Sequence, residues 1–118
     1  MHPKDAIGRY GEQLAAHHLH RTGLTLLARN WRCAAGEVDI VARDGDVLVF
    51  CEVKTRRSDA YGAPAEAVTA RKQMRLRTLA LRWLDARGAR ADQLRFDVAS
   101  VRPDGRGGWC VDVLDGAF

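Results

Sequence analysis

The run VLVFCEVK, residues 47 to 54, constrains the fold of this chain more than any other stretch. In a strand, alternate side chains share a face, so Val47, Val49, Cys51 and Val53 form one wholly apolar side. Leu48 and Phe50 share the other side with Glu52 and Lys54. Such a strand lies inside a protein, where an ionised carboxylate is costly unless something compensates it. Glu52 therefore either forms a structural ion pair with Lys54 or holds a cation.

The flanking sequence supplies the other elements. Ile7, Tyr10, Leu14 and His18, with Ala15 and Leu19 beside them, recur at helical spacing and predict a helix over Asp5 to Thr22. Glu12 falls at the edge of that stripe, and Gly8 and Gly11 would let another backbone approach closely. Leu24 to Arg32 reads as a first strand. GEVDIVARDGDVLVFCEVK then reads as a hairpin turning at Asp44-Gly45. That turn pairs Arg43 with Asp46, Asp39 with Phe50 and Glu37 with Glu52, leaving Asp39 and Glu52 as diagonal neighbours on one face, roughly 7 Å apart. After the connection SDAYGAP, a second helix runs to Arg87 with Leu76, Leu79, Ala80, Trp83 and Leu84 on its inner face. Arg71, Arg75, Thr78, Arg82 and Asp85 lie opposite. Leu94 to Val101 and Trp109 to Leu114 read as two last strands. A chain of 118 residues fits a single domain.

Glu37, Asp39 and Glu52, joined by Glu12, gather at one end of the hairpin with Lys54 as their near counter-charge. Crowded carboxylates resist ionising together unless a cation is present. Oxygen ligands without His or Cys suit Mg²⁺ or Mn²⁺.

Asp39 followed by Glu52-Val53-Lys54 on the next strand, with Glu12 on the preceding helix, resembles the metal-dependent nuclease superfamily defined by an aspartate and a Glu-x-Lys motif. GRYGEQLAA, RNWR, GEVDIVARDGDVLVFCEVKTR and GAPAEAVTARKQMRL resemble the small bacterial YraN-like family, which is similar to archaeal Holliday-junction resolvases. The resemblance implies a restriction-endonuclease-like αβββαββ fold, an α/β architecture with a central mixed sheet and flanking helices. It implies Asp39, Glu52 and the Val53 carbonyl as metal ligands, Lys54 as the group that holds or deprotonates water, and Glu12 as an outer ligand. It points to a DNA endonuclease, acting on branched or junction DNA. Val38 stands where the superfamily often has a proline, and no glutamine-tyrosine pair follows the lysine. A bulge at Gly36 would change which acidic residue faces inward, but with Asp39 matching the motif Glu37 is expected as a neighbour of the site rather than a ligand.

A net charge of +4 permits a polyanionic partner without requiring one. Arg56 and Arg57 beyond the motif, with Arg71, Lys72, Arg75 and Arg82, either track a phosphate backbone, DNA before RNA, or form a solvated face. Asn30, Trp31 and Arg32 mix an aromatic with polar groups that could touch a nucleic acid, although core packing is the expectation for Trp31. His17, His18 and His20 have no fourth ligand nearby, and Cys33, Cys51 and Cys110 lack a CxxC pairing. With no apolar run of about 20 residues and no signal-peptide core, the expectation is a cytoplasmic protein that does not engage membranes. Met74 and Leu81, apolar but off the inner face, hint at a homodimer. The rivals to a nuclease are a nucleic-acid-binding module of the same fold without turnover, and a structural protein whose acidic cluster is closed by Lys54 and arginines.

Overall fold

A computed structural model describes residues 6–56 and 69–118. Helix α1 (Ala6–Arg21) precedes strands β1 (Thr25–Cys33), β2 (Gly36–Asp44) and β3 (Val47–Thr55). Helix α2 (Ala70–Arg87), β4 (Gln93–Pro103) and β5 (Trp109–Leu114) follow. The five strands form one sheet in sequence order. Only β3 and β4 run parallel, the rest being antiparallel. This is the mixed α/β sheet of the restriction-endonuclease-like αβββαββ arrangement. The connection SDAYGAP and Arg57 lie outside the described residues, as does the expected helix start at Asp5.

The doubly apolar β3 sits in the middle of the sheet, with a core on each side. Val49 and Cys51 pack with Ala15, Ala16 and Leu19 of α1. Leu48 and Phe50 pack with Leu76, Leu79, Ala80 and Trp83 of α2. Trp31 packs against the second cluster, as its sequence context predicts. Arg77 and Arg87 lay their guanidinium groups over Phe96 and Trp83 at 5.0 and 5.1 Å, closing the rim of that core. At the far end of the sheet, Arg95 makes paired hydrogen bonds of 2.9 and 3.0 Å to the buried carboxylate of Asp97 and reaches Asp44 at 2.9 Å. Those bonds tie β4 to the β2–β3 turn.

Two expectations require correction. The buried face of α1 is Gly11, Glu12, Ala15, Ala16 and Leu19, whereas Tyr10 is exposed and Ile7, Leu14 and His18 are half-buried. Small residues win that face because they allow α1 to come close to β3. A methyl group at Gly11 would lie 2.8 Å from Cβ and Cγ2 of Thr55. The hairpin also turns one residue later than Asp44-Gly45. Asp44 pairs with Val47, leaving Gly45-Asp46 as the loop. Gly45 at φ 61° takes the first loop position, the pattern of a type II′ turn, whereas a turn centred on Asp44-Gly45 would ask Asp44 for a positive φ as well. The pairing shifts by two, to Ile40 with Cys51 and Val41 with Phe50. Extending that register would set Asp39 opposite Glu52, not opposite Phe50.

The closeness of α1 yields a test. Alanine is the better helix former by about 1 kcal/mol, yet Gly11→Ala is expected to destabilise the protein, by roughly 1–3 kcal/mol, because the methyl overpacks against Thr55. Chemical denaturation of the two proteins measures the difference, and a stabilised variant would refute the close packing.

Candidate metal centre

The site forms where β2 and β3 part. Their backbone pairing ends at Ile40 and Cys51. Beyond that rung the Val53 N–H donates to Asp39 Oδ2 at 2.8 Å. A side-chain carboxylate thus takes the place of a main-chain carbonyl, and β3 goes on to pair with β4 through Thr55. The Arg56 N–H extends that pairing with a 2.8 Å bond to the Val101 carbonyl.

Around this gap the structure gathers Glu12 of α1 with Glu37 and Asp39 of β2. Each offers a carboxylate oxygen, and the three lie within 4.8 Å of one another. Among the described residues this is the one such group of three His, Cys, Asp or Glu side chains. Glu12 and Asp39 are buried and Glu37 is half-buried. Glu37, expected only as a neighbour, stands inside the cluster. The donor set is oxygen throughout, which suits a hard cation such as Mg²⁺ or Mn²⁺.

Glu52 lies to one side of this trio. Its Oε1 is 3.3 Å from Lys54 Nζ, the ion pair that one reading of the sequence proposed. That pair does not cancel the cost of burial. Desolvation first, and the nearby Asp39 charge second, push the Glu52 carboxyl above its ordinary value against the pull of Lys54. Lys72, from the first turns of α2, lies within reach of Lys54. That contact, burial, and the charges of Lys54 and Arg75 hold its pKa below the usual lysine value, while Glu52 opposes the shift. Lys72 thus stands beside the motif lysine rather than only on an outer stripe. Arg75 extends along the β1–β2 turn, its Cδ 3.6 Å from where a Cβ on Gly36 would be. Arg32 Nε meets Glu37 Oε2 at 2.8 Å. Arg71, Arg75 and Arg82 are exposed, and Arg56 is half-buried.

Sequence reasoning missed the membership of Glu37 and the proximity of Lys72 to Lys54. Nothing in strand periodicity marks Glu37, because its place depends on a local break in β2 alternation. The helical wheel puts Lys72 on the same turns as Arg71 and Arg75, but its contact with β3 depends on where α2 docks. Cys51 is fully buried, and burial first, then the charges of Asp97, Asp39 and Glu52, push its thiol above its ordinary value, which disfavours the thiolate a nucleophile needs.

The raised Glu52 pKa has a signed consequence. The folded protein holds this proton more tightly than the unfolded chain does, so the associated stability is fully present below the ordinary carboxyl value of 4.5 and is lost as pH rises through the folded value. In metal-free buffer, Glu52→Gln is expected to remove that loss and to equal or exceed wild type in melting temperature near pH 7. Melting curves of both proteins from pH 4 upward, in steps of about half a unit, test it. A variant that melts far below wild type near neutrality would assign Glu52 to the ion pair alone.

The chain has relatives over its whole length. Residues 11–101 match the model of the uncharacterised protein family UPF0102. A UPF0102 protein of Nocardioides sp. is 55% identical over 113 residues, covering 96% of this chain and 91% of the relative. A UPF0102 protein of Acidothermus cellulolyticus is 50% identical over 125 residues, covering 98% and 95%. One from Frankia casuarinae is 50% identical over 118 residues, the full length of both. With that coverage, and with the family match spanning α1 through most of β4 and every carboxylate of the site, the chain belongs to the UPF0102 family.

Proposed function

We propose that this protein is a Mg²⁺- or Mn²⁺-dependent endonuclease that hydrolyses phosphodiester bonds of DNA, with branched or junction DNA as its substrate class. The observation that carries this reading is the convergence of Glu12, Glu37 and Asp39 within 4.8 Å, with Asp39 near enough to the Glu52–Lys54 pair for its charge to be felt at Glu52. Three carboxylates brought together at a gap in a sheet form an all-oxygen donor set of the kind a hard cation takes. Asp39 and Glu37 would hold the ion, with Glu12 and Glu52 completing or supporting its oxygen shell. A metal bound there would polarise the scissile phosphate and make its attacking water more acidic.

The remaining roles fall to the chain's own residues. Lys54, paired with Glu52, would hold the attacking water or offset charge building on phosphate oxygens. Lys72 adds a second positive charge beside it. The Val53 N–H fixes Asp39 by donating to its Oδ2. Arg71, Arg75 and Arg82 on α2, with Arg56 at the end of β3, would carry the flanking phosphates, which give affinity without base information. The same chemistry serves RNA less well only if the substrate path reads duplex geometry, so DNA is the first substrate to try. Met74 and Leu81, seven residues apart on α2 and 70% and 63% exposed, form the apolar pair a homodimer would cover. No helix among the described residues is long and apolar enough to cross a membrane, and the reading places the protein with its DNA in the cytoplasm.

The rival that keeps the fold without turnover is separated by cleavage, and the structural rival by metal binding. Labelled linear, flap and four-way DNA incubated with Mn²⁺ or with EDTA should be cut only with the metal. Asp39→Asn, Glu52→Ala and Lys54→Ala should each abolish cutting. Activity that survives all three substitutions would assign cleavage to a contaminant. At free Mn²⁺ ten times the dissociation constant, binding should stabilise the fold by about 1.4 kcal/mol, and a wild type whose melting temperature ignores Mn²⁺ would favour the structural rival.

Changing Arg71, Arg75 and Arg82 together to Glu should weaken DNA binding alike for all sequences and flatten its salt dependence by about one unit of slope per lost phosphate contact. Fluorescence anisotropy over a salt series reads both effects, and unchanged binding would return the stripe to a solvated face.

A further inference from the structure

The acidic trio depends on a break in strand alternation that the sequence pattern does not announce. Between β1 and β2, Arg29 pairs with Ile40 and Trp31 with Val38, yet Asn30 and Asp39 between them form no bridge. Asn30 has φ 52° and is the one non-glycine residue in the left-handed region among the described residues. On either side of this rung the faces fall out of phase. Ala28 and Trp31, three residues apart, both pack on the α2 side of the sheet. Val41 and Val38, also three apart, do the same. Ile40 and Ala42 pack on the α1 side. In a regular strand, residues an odd number apart face opposite ways.

The slip decides the site. A change of phase by one residue sends every side chain beyond it to the other face. Under strict alternation from Val41, Glu37 would stand beneath α2, and Val38 would join Ile40 on the α1 side. With the slip, Val38 turns to α2, and Glu37 comes to the side of Glu12, which α1 supplies. The residue paired with Glu37, Arg32, turns with it and forms the 2.8 Å ion pair. Asparagine suits the pivot because it adopts the left-handed conformation more readily than other side chains, and β-branched residues adopt it least.

We propose that Asn30 is a positioning residue for the acidic cluster: its left-handed backbone turns β1 and, through the paired rung, β2, so that Glu37 and Asp39 converge on Glu12. The inference deepens the metal-centre reading and rests on it for its function, though the assembly of the three carboxylates can be measured without metal.

Asn30→Gly, which keeps the left-handed backbone open, and Asn30→Val, which disfavours it, separate the outcomes. Calorimetric titration with Mn²⁺ alone should give Asn30→Gly an affinity close to wild type and Asn30→Val a loss of roughly tenfold or more, the scale of a disturbed supporting shell. A second readout needs no metal. Glu12→Gln and Glu37→Gln, combined in a double-mutant cycle, should be non-additive in melting temperature in the wild type and in Asn30→Gly, and additive in Asn30→Val, because the slip brings the two carboxylates together. If Asn30→Val does not fold, Asn30→Ala replaces it in both measurements. Coupling and Mn²⁺ affinity that both survive the substitution would overturn the positioning role. A coupled pair in a wild type that takes up no Mn²⁺ would overturn the metal reading and leave the positioning role standing.

Discussion

The 2.8 Å hydrogen bond from the Val53 N–H to Asp39 Oδ2 is the interaction on which the site depends. Parting β2 from β3 would ordinarily leave a buried N–H without a ladder partner, at a cost comparable to a lost hydrogen bond. Asp39 removes that cost with a side-chain oxygen. The strands can then diverge, β2 continuing beside β1 and β3 beside β4, and acidic side chains collect at the opening between them.

Charge in this region is arranged in graded opposition rather than in isolated pairs. Arg32 meets Glu37 on one side and Lys54 meets Glu52 on the other, with Lys72 and Arg75 close behind. Even so, burial and Asp39 outweigh Lys54 at Glu52, whose proton is held more tightly than usual. A carboxylate that its own lysine cannot fully stabilise is better suited to a cation of higher charge. The two helices contribute unlike things to this balance: α1 brings Glu12 on a face of small residues that permits close approach, and α2 brings positive charge across the opposite side.

A second polar centre holds the other end of the sheet. Asp97 accepts paired bonds from Arg95 and a 3.0 Å bond from the Gly116 N–H, and Arg95 continues to Asp44 beside the β2–β3 turn. With every oxygen partnered, this buried carboxylate behaves as structure. Its contrast with the Glu12, Glu37 and Asp39 group shows how differently acidic residues can be treated within one sheet. Carboxylates at the far end are matched by an arginine fork, while those at the opening crowd one another.

Much of this protein is determined by sequence alone. The apolar faces of Val47 to Lys54 place it as a central strand, the order of elements follows from period and turn residues, and the fifth strand begins and ends where its residues indicate. Asp39, Glu52 and Lys54 stand out because charged residues at the end of an apolar hairpin need a reason to be there. Tertiary structure alone decided how those carboxylates group. The placement of the turn at Gly45-Asp46 moved the hairpin register by two, setting Asp39 toward Glu52, and β2 changed phase beside the left-handed Asn30, so that Glu37 joined Asp39 and Glu12. Periodicity reports the face of a residue only while alternation holds. One residue of backbone in the left-handed region reverses it, and no count of apolar positions in the sequence records where that occurs.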